Sequence, residues 1–157
     1  MSVDIVIVNW NSGVLLFECV ESIIHHGNSL VSKIIVVDNN SSDDSAFFIE
    51  SLPRVDLIQA HENLGFGKAC NLGASQSESE FVLFLNPDTR IYADTLKNVL
   101  IFMSAKENLK VGICGVQLEN GNGEIAKSNS RFPSVTGFLS HSIGLSKIYP
   151  ILGNAMS

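Results

Sequence analysis

Positive charge is scarce in this chain. Ten Lys and Arg stand against sixteen Asp and Glu, a formal net charge of -6. A surface that tracks nucleic-acid phosphates needs the opposite balance, so nucleic acid is excluded as a partner. Cysteine is scarce as well. Cys19, Cys70 and Cys114 are odd in number and match no zinc or redox spacing, so they read as reduced thiols in a cytosolic protein. His25, His26, His61 and His141 show no metal-ligand spacing. No apolar run is longer than a strand, which excludes a bilayer-spanning helix. No basic segment followed by a long apolar one opens the chain, so no signal peptide is expected. G-x-S-x-G and Gly-Lys-Ser/Thr are both missing, which removes support for serine hydrolase and P-loop chemistry.

What remains is a chain of 157 residues, 45% hydrophobic and 17% charged, the composition of one compact globular domain. Apolar, β-branched runs alternate with helical periodicity. Strands are expected at Val3–Val8, Lys33–Val37, Val55–Gln59, Phe81–Leu85 and Val111–Leu118. Helices are expected from Leu15 to about Gly27, over Gly65–Ser75 and over Asp94–Ala105. A short one should also follow the second strand, capped by Ser42 or Asp43 and broken near Pro53. Asn120-Gly121-Asn122-Gly123 marks a tight turn into a short return strand. The alternation predicts an α/β fold with a mostly parallel sheet flanked by helices.

In such sheets ligands sit at the carboxyl ends of the strands. Three polar clusters fall there: Asn9–Ser12, Asp38–Ser42 and Asn86–Asp88. Each alone reads equally well as an ordinary turn. Together they point to one pocket, and carboxylates close two of the strands. Asp38 follows four apolar residues and is placed to accept hydrogen bonds from a base or ribose hydroxyl. Asn86-Pro87-Asp88 offers one charged and one neutral oxygen donor, chemistry suited to a hard divalent cation. The glycines of Asn63–Gly73 surround a helix start, where backbone N–H groups favour anions. Lys68 is a candidate phosphate contact, or a solvated surface lysine.

The ordered set Val6-Ile7-Val8-Asn9-Trp10-Asn11, Ile34–Asp43, Asn63-Leu64-Gly65-Phe66-Gly67 and Phe84–Asp88 resembles family 2 glycosyltransferases. The likeness is to the rhamnosyltransferase-like branch that builds bacterial surface polysaccharides. Gly112–Pro133 is similar to that branch too. The resemblance runs from about residue 3 to about residue 135 and implies a GT-A, Rossmann-like fold that is C-terminally incomplete. It divides the chain into a nucleotide-sugar-binding subdomain, 1–135, and an apolar tail, 136–157, read as the start of an acceptor-side region or a truncation remnant.

The resemblance also implies inverting transfer of a sugar, rhamnose from dTDP-rhamnose in this branch, to a glycan or lipid-linked acceptor. The donor would be a dTDP- or UDP-sugar. Val8, Asn9, Asn11, Asp38, Asn39, Asn63, Gly65, Lys68 and Asn71 would hold the nucleotide. Asp88, with Asn86, would stand where the family has D-x-D and bind Mg²⁺ or Mn²⁺. Cys70 stands where many members carry arginine. After Arg131 there is no Asp or Glu to serve as general base. The alternative is therefore a non-catalytic nucleotide-sugar-binding remnant. A nucleotidyltransferase of similar fold is disfavoured, since no glycine-rich signature with a basic residue follows the first strand. Such an enzyme is expected in the cytoplasm, with peripheral contact at the inner membrane.

Overall fold

The computed structural model describes residues 1–126. Val3–Asn9 forms β1, buried along its whole length. An apolar run of this kind belongs in the middle of a sheet covered on both faces. Its neighbours are β2 (Val31–Asp38) and β4 (Phe81–Leu85), and β3 (Val55–Gln59) lies beyond β2. The order is β3-β2-β1-β4, with every pairing parallel.

Side chains alternate across the strands, so each face of β1 meets a different helix. Ile5 and Ile7, with Ile34 and Val36, pack against Leu16, Cys19, Val20 and Ile23 of α1 (Val14–Gly27) and Leu96 and Leu100 of α3 (Thr95–Ser104). On the other face Val8 and Val37 meet Ala69 of α2 (Phe66–Ala74). The approach of α2 depends on Gly73. A Cβ there would stand 2.5 Å from Val6 Cγ1 and 3.2 Å from Val37 Cγ2.

The chain runs outward from β1 to β2 and β3, then returns to β4 on the opposite side of β1. That reversal makes a crevice at the carboxyl ends of β1 and β4, the place where open α/β sheets bind ligands.

Two expected elements differ. The segment after β2 is a series of turns with a 3₁₀ turn at Phe47–Ile49, not an α-helix. Ser42 and Asp43 are occupied by the loop after β1 rather than by a helix start. Of the three residues in the 3₁₀ turn only Ile49 is buried, too little apolar contact to hold a longer helix. The expected strand Val111–Leu118 shrinks to Leu118–Glu119, paired antiparallel with Ile125–Ala126. Gly112 and Gly115 weaken that stretch as a strand, and Ile113 is 92% exposed. The turn Asn120–Gly123 forms as expected, with Asn120 N–H donating to the Glu124 carbonyl. The chain divides into compact units after Gly112. The apolar tail expected at 136–157 lies outside the described residues.

Asp4 is the one charged residue in β1, and it is buried. Its carboxylate accepts hydrogen bonds from Ser77 Oγ, Ser79 Oγ and the N–H groups of Glu78 and Ser79, tying β1 to the turn before β4. Burial pushes the carboxyl up, but these hydrogen bonds outweigh it and hold Asp4 below the ordinary carboxylate value. A depressed folded value means the contribution is full above the unfolded pKa of about 4 and fades as pH falls through the folded value.

Asp4→Ala is expected to destabilise the chain by about 2–3 kcal/mol at neutral pH, with the difference from wild type shrinking in acid; urea titrations at pH 7 and pH 3 check this. Gly73→Ala is expected to cost about 1–3 kcal/mol by the same measurement, because α2 must move off Val6.

Candidate functional site

The strand ends are joined by hydrogen bonds that begin at Asn9. Its side chain is 0% exposed. The amide Nδ2 donates to Asp38 Oδ1 at 2.7 Å and Ser45 Oγ at 2.8 Å, with Ser41 Oγ at 3.1 Å. Register places Asn9 directly beside Asp38, so this pairing follows from the parallel ladder. Asp38 is 3% exposed, and its second oxygen accepts from Ser41 N–H.

The two loops above are zipped together. Asn11 N–H donates to Ser41 Oγ, and Asn11 Oδ1 accepts from Ser42 N–H and Oγ. Asn11 adopts φ 54°, a left-handed conformation that asparagine tolerates. Gly13, with φ 56°, leads into α1, and its N–H donates to Asp43 Oδ2. In dinucleotide folds a ligand phosphate takes such a helix start. Here an internal carboxylate takes the N–H of Gly13, the residue just before the helix. The hydrogen bond from Ser45 Oγ, reinforced by Gly13 and Ser45 N–H against slight burial, holds Asp43 below the ordinary value.

On the other side Asn39 is clamped. Its N–H donates to the Asn9 carbonyl, its Nδ2 to Asn63 Oδ1, and its Oδ1 accepts from Leu64 N–H. Asn63 Oδ1 also accepts from Gly65 N–H. Gly65, at φ 77° and ψ 157°, sits in a backbone region close to glycine-only and turns the chain into α2.

The third cluster follows β4. The Asn86 carbonyl accepts from Thr89 N–H and Oγ1, closing a turn that leaves Asp88 exposed. Beneath it, Cys19 Sγ of α1 contacts the same carbonyl at 3.6 Å. Burial pushes the Cys19 thiol up to about 12; a hydrogen bond with Thr89 opposes this and the Asp88 carboxylate adds to it.

These loops enclose a cleft of about 390 Å³ lined by Val8, Trp10, Ser12, Leu15, Asn39, Asn63, Phe66, Asn86, Pro87 and Asp88. Five of the expected residues line it: Val8, Asn39, Asn63, Asn86 and Asp88. Asn9 and Asp38 are buried and do not line it. Asn11 and Gly65 shape its loops. Lys68 and Asn71 are exposed on α2 and are not part of the wall. A larger groove of about 700 Å³ runs beside α1 past His25, His26 and the Arg90–Glu18 ion pair. It gathers none of the strand-end clusters, so the smaller cleft is the better candidate.

Trp10, Ser12, Leu15, Phe66 and Pro87 were not among the expected ligand-binding residues, although all but Leu15 lie in the clusters and motifs the sequence marked. The available signal was the lone tryptophan of the chain at a strand end between two asparagines. In the structure Trp10 is 59% exposed and Phe66 62% exposed on the same cleft, unusual for large aromatics and suited to stacking on a planar ring.

Among the described residues no group of three or more His, Cys, Asp or Glu can hold a metal unaided. Asp88 with Asn86 is an incomplete oxygen donor set. It fits a hard cation that keeps water and phosphate oxygens as its other ligands, and does not fit a closed protein site.

The model of Glycosyl transferase family 2 matches residues 4–151. The chain belongs to glycosyl transferase family 2. This family 2 chain is 26% identical over 125 residues to the minor teichoic acid biosynthesis protein GgaB of Bacillus subtilis (strain 168), covering 76% of this chain and 14% of that protein. S. aureus TarS 1-349 in complex with UDP-GlcNAc is similar in structure at TM-score 0.60 and 28% identity, over 66% of this chain and 31% of that one. The mannosyltransferase PcManGT of Pyrobaculum calidifontis, in complex with GDP-Man and Mn²⁺, matches at TM-score 0.60 and 22% identity, over 66% of this chain and 32% of that one. The last likeness speaks for the fold alone. The parallel sheet flanked by helices is that of the GT-A, Rossmann-like class. The chain spans less than a third of the length of each of these three relatives.

Iodoacetamide at pH 8 is expected to leave Cys19 unmodified in the folded chain and to label it only once urea unfolds the protein; peptide mass mapping reads the difference.

Proposed function

We propose that this chain binds a nucleoside diphosphate sugar in the cleft at the ends of β1 and β4, as the donor site of a glycosyltransferase. The observation that carries the reading is the convergence of Asn39, Asn63, Asn86 and Asp88 with Trp10 and Phe66 around one opening. The asparagine side chains provide donors and acceptors for a base and ribose. The aromatic faces provide stacking surface. Family membership and a relative with UDP-GlcNAc bound support a sugar nucleotide as ligand.

The diphosphate would lie toward Asn86 and Asp88. Lys68 stands outside the wall and no Lys or Arg lines it, so the described cleft offers two phosphates no cationic side chain. A divalent cation held by Asp88, with Asn86 beside it, would neutralise charge on the departing diphosphate. In the transfer an acceptor hydroxyl attacks the anomeric carbon, the bond to the diphosphate breaks, and the hydroxyl proton passes to a base. Asp88 is the only carboxylate in the described wall, and this reading uses it for the cation. The part assigned to this chain is therefore donor binding.

Rhamnose from dTDP-rhamnose remains the donor suggested by the motif order. The name of GgaB supports a cell-wall polymer as the wider setting. The acceptor is then a glycan or a lipid-linked intermediate, with peripheral membrane contact following from the latter. Among the described residues no helix is long and apolar enough to cross a membrane.

Thermal melting with UDP, dTDP, UDP-GlcNAc or dTDP-rhamnose, each with and without Mn²⁺, tests this. At least one pairing is expected to raise the midpoint, and to raise it further with Mn²⁺; at 100 times Kd the linkage is about 2.7 kcal/mol. Asp88→Ala is expected to abolish the Mn²⁺-dependent increment and keep the rest. No shift with any of these ligands would refute the donor site.

A further inference from the structure

Ser45 lies outside every motif assigned above. It is 1% exposed and does not line the cleft. Its hydroxyl nonetheless joins two parts of the machinery. It accepts from Asn9 Nδ2 at 2.8 Å and donates to Asp43 Oδ1. Ser45 N–H also donates to that oxygen.

We propose that Ser45 is a positioning residue for the nucleotide cleft, acting with Asp38 through Asn9; the inference rests on the donor-site reading above. The amide of Asn9 makes all its hydrogen bonds from the nitrogen side, because Oδ1 is buried with no partner among the described residues. Flipping the amide would turn that oxygen onto the Asp38 carboxylate, so the orientation is forced. Two hydrogens then need two firm acceptors, and Asp38 and Ser45 are the two nearest.

The walls hang from this anchor. The Asn9 carbonyl accepts from Asn39 N–H, and Asn39 holds Asn63 and Leu64 at the entry to α2, next to Phe66. Through Asp43 the same serine reaches Gly13 at the start of α1, just after Trp10 and Ser12. Removing the Ser45 hydroxyl leaves the Asn9 amide with Asp38 and the longer contact to Ser41 Oγ, and leaves Asp43 with backbone N–H donors alone. Both walls then lose one of the links that set their spacing, although no group that faces the cleft has changed.

The test compares wild type, Ser45→Ala and Ser45→Thr by calorimetric titration with the nucleoside diphosphate, UDP, GDP or dTDP, that wild type binds most tightly. Titrations run at 10 °C, below the melting midpoint of each variant. Ser45→Ala is expected to bind about tenfold more weakly, and Ser45→Thr, which restores the hydroxyl, to come within about threefold of wild type. A fall in melting midpoint with affinity unchanged would reduce Ser45 to a stabilising residue and overturn the proposal. An affinity loss that Ser45→Thr leaves uncorrected while its midpoint returns to the wild-type value would overturn it as well. Wild type that binds none of the three nucleotides would instead overturn the donor-site reading, and this inference with it.

Discussion

A buried amide at the end of the central strand constrains everything above the sheet. Asn9 has no access to water, so its two hydrogens must find protein acceptors. Asp38 supplies one from the adjacent strand and Ser45 the other from the loop beyond. Satisfying that one side chain fixes how the loop after β2 folds back over the loop after β1. The reciprocal bonds between Asn11 and Ser41–Ser42, and the bond from Gly13 N–H to Asp43, follow from the same juxtaposition. A segment whose side chains are committed in this way is not available to nucleate a helix, which is why the stretch after β2 stays a run of turns.

The electrostatics of the site follow from where the acids went. Asp43 is held by the Gly13 N–H just before α1, and Asp38 is withdrawn beneath the cleft. Asp88 alone stands exposed on the wall, in a chain whose net charge is -6. Under the proposed reading, an anionic ligand entering such a site needs a mobile cation, and one carboxylate beside an amide leaves that cation room for phosphate oxygens. Cys19, packed under the Asn86 turn, shows how close that turn lies to the apolar core: burial there is strong enough to suppress thiol ionisation.

Much of the architecture was legible in the chain itself. The short apolar runs at Val3, Ile34, Val55 and Phe81 determined the four parallel strands, and the spacing of Leu16, Cys19, Val20 and Ile23 determined the helix that covers them, because a short continuous apolar run and a period of 3.6 leave different traces. The placement of polar clusters at strand ends was readable for the same reason: apolar runs stop where the sheet stops. The role of Asp4 was not. A lone acid inside an apolar strand has no local partner, and its four hydrogen bonds come from residues more than seventy positions away.

Which polar residues face the cleft, and which are spent beneath it, was decided only by tertiary structure. Asn9 and Asn39 look alike in sequence, each at or just past a strand end, yet one is sealed under the cleft and the other lines it. The difference lies in what the neighbouring strand and loop place opposite each side chain. Lys68 and Phe66 lie two residues apart at the start of one helix, but rotation by 100° per residue carries the aromatic to the cleft and the lysine away from it. Periodicity determines that there is a helix and roughly where it starts. Only packing, here set by Gly73 against Val6, decides how that helix is seated and so which residues meet a ligand.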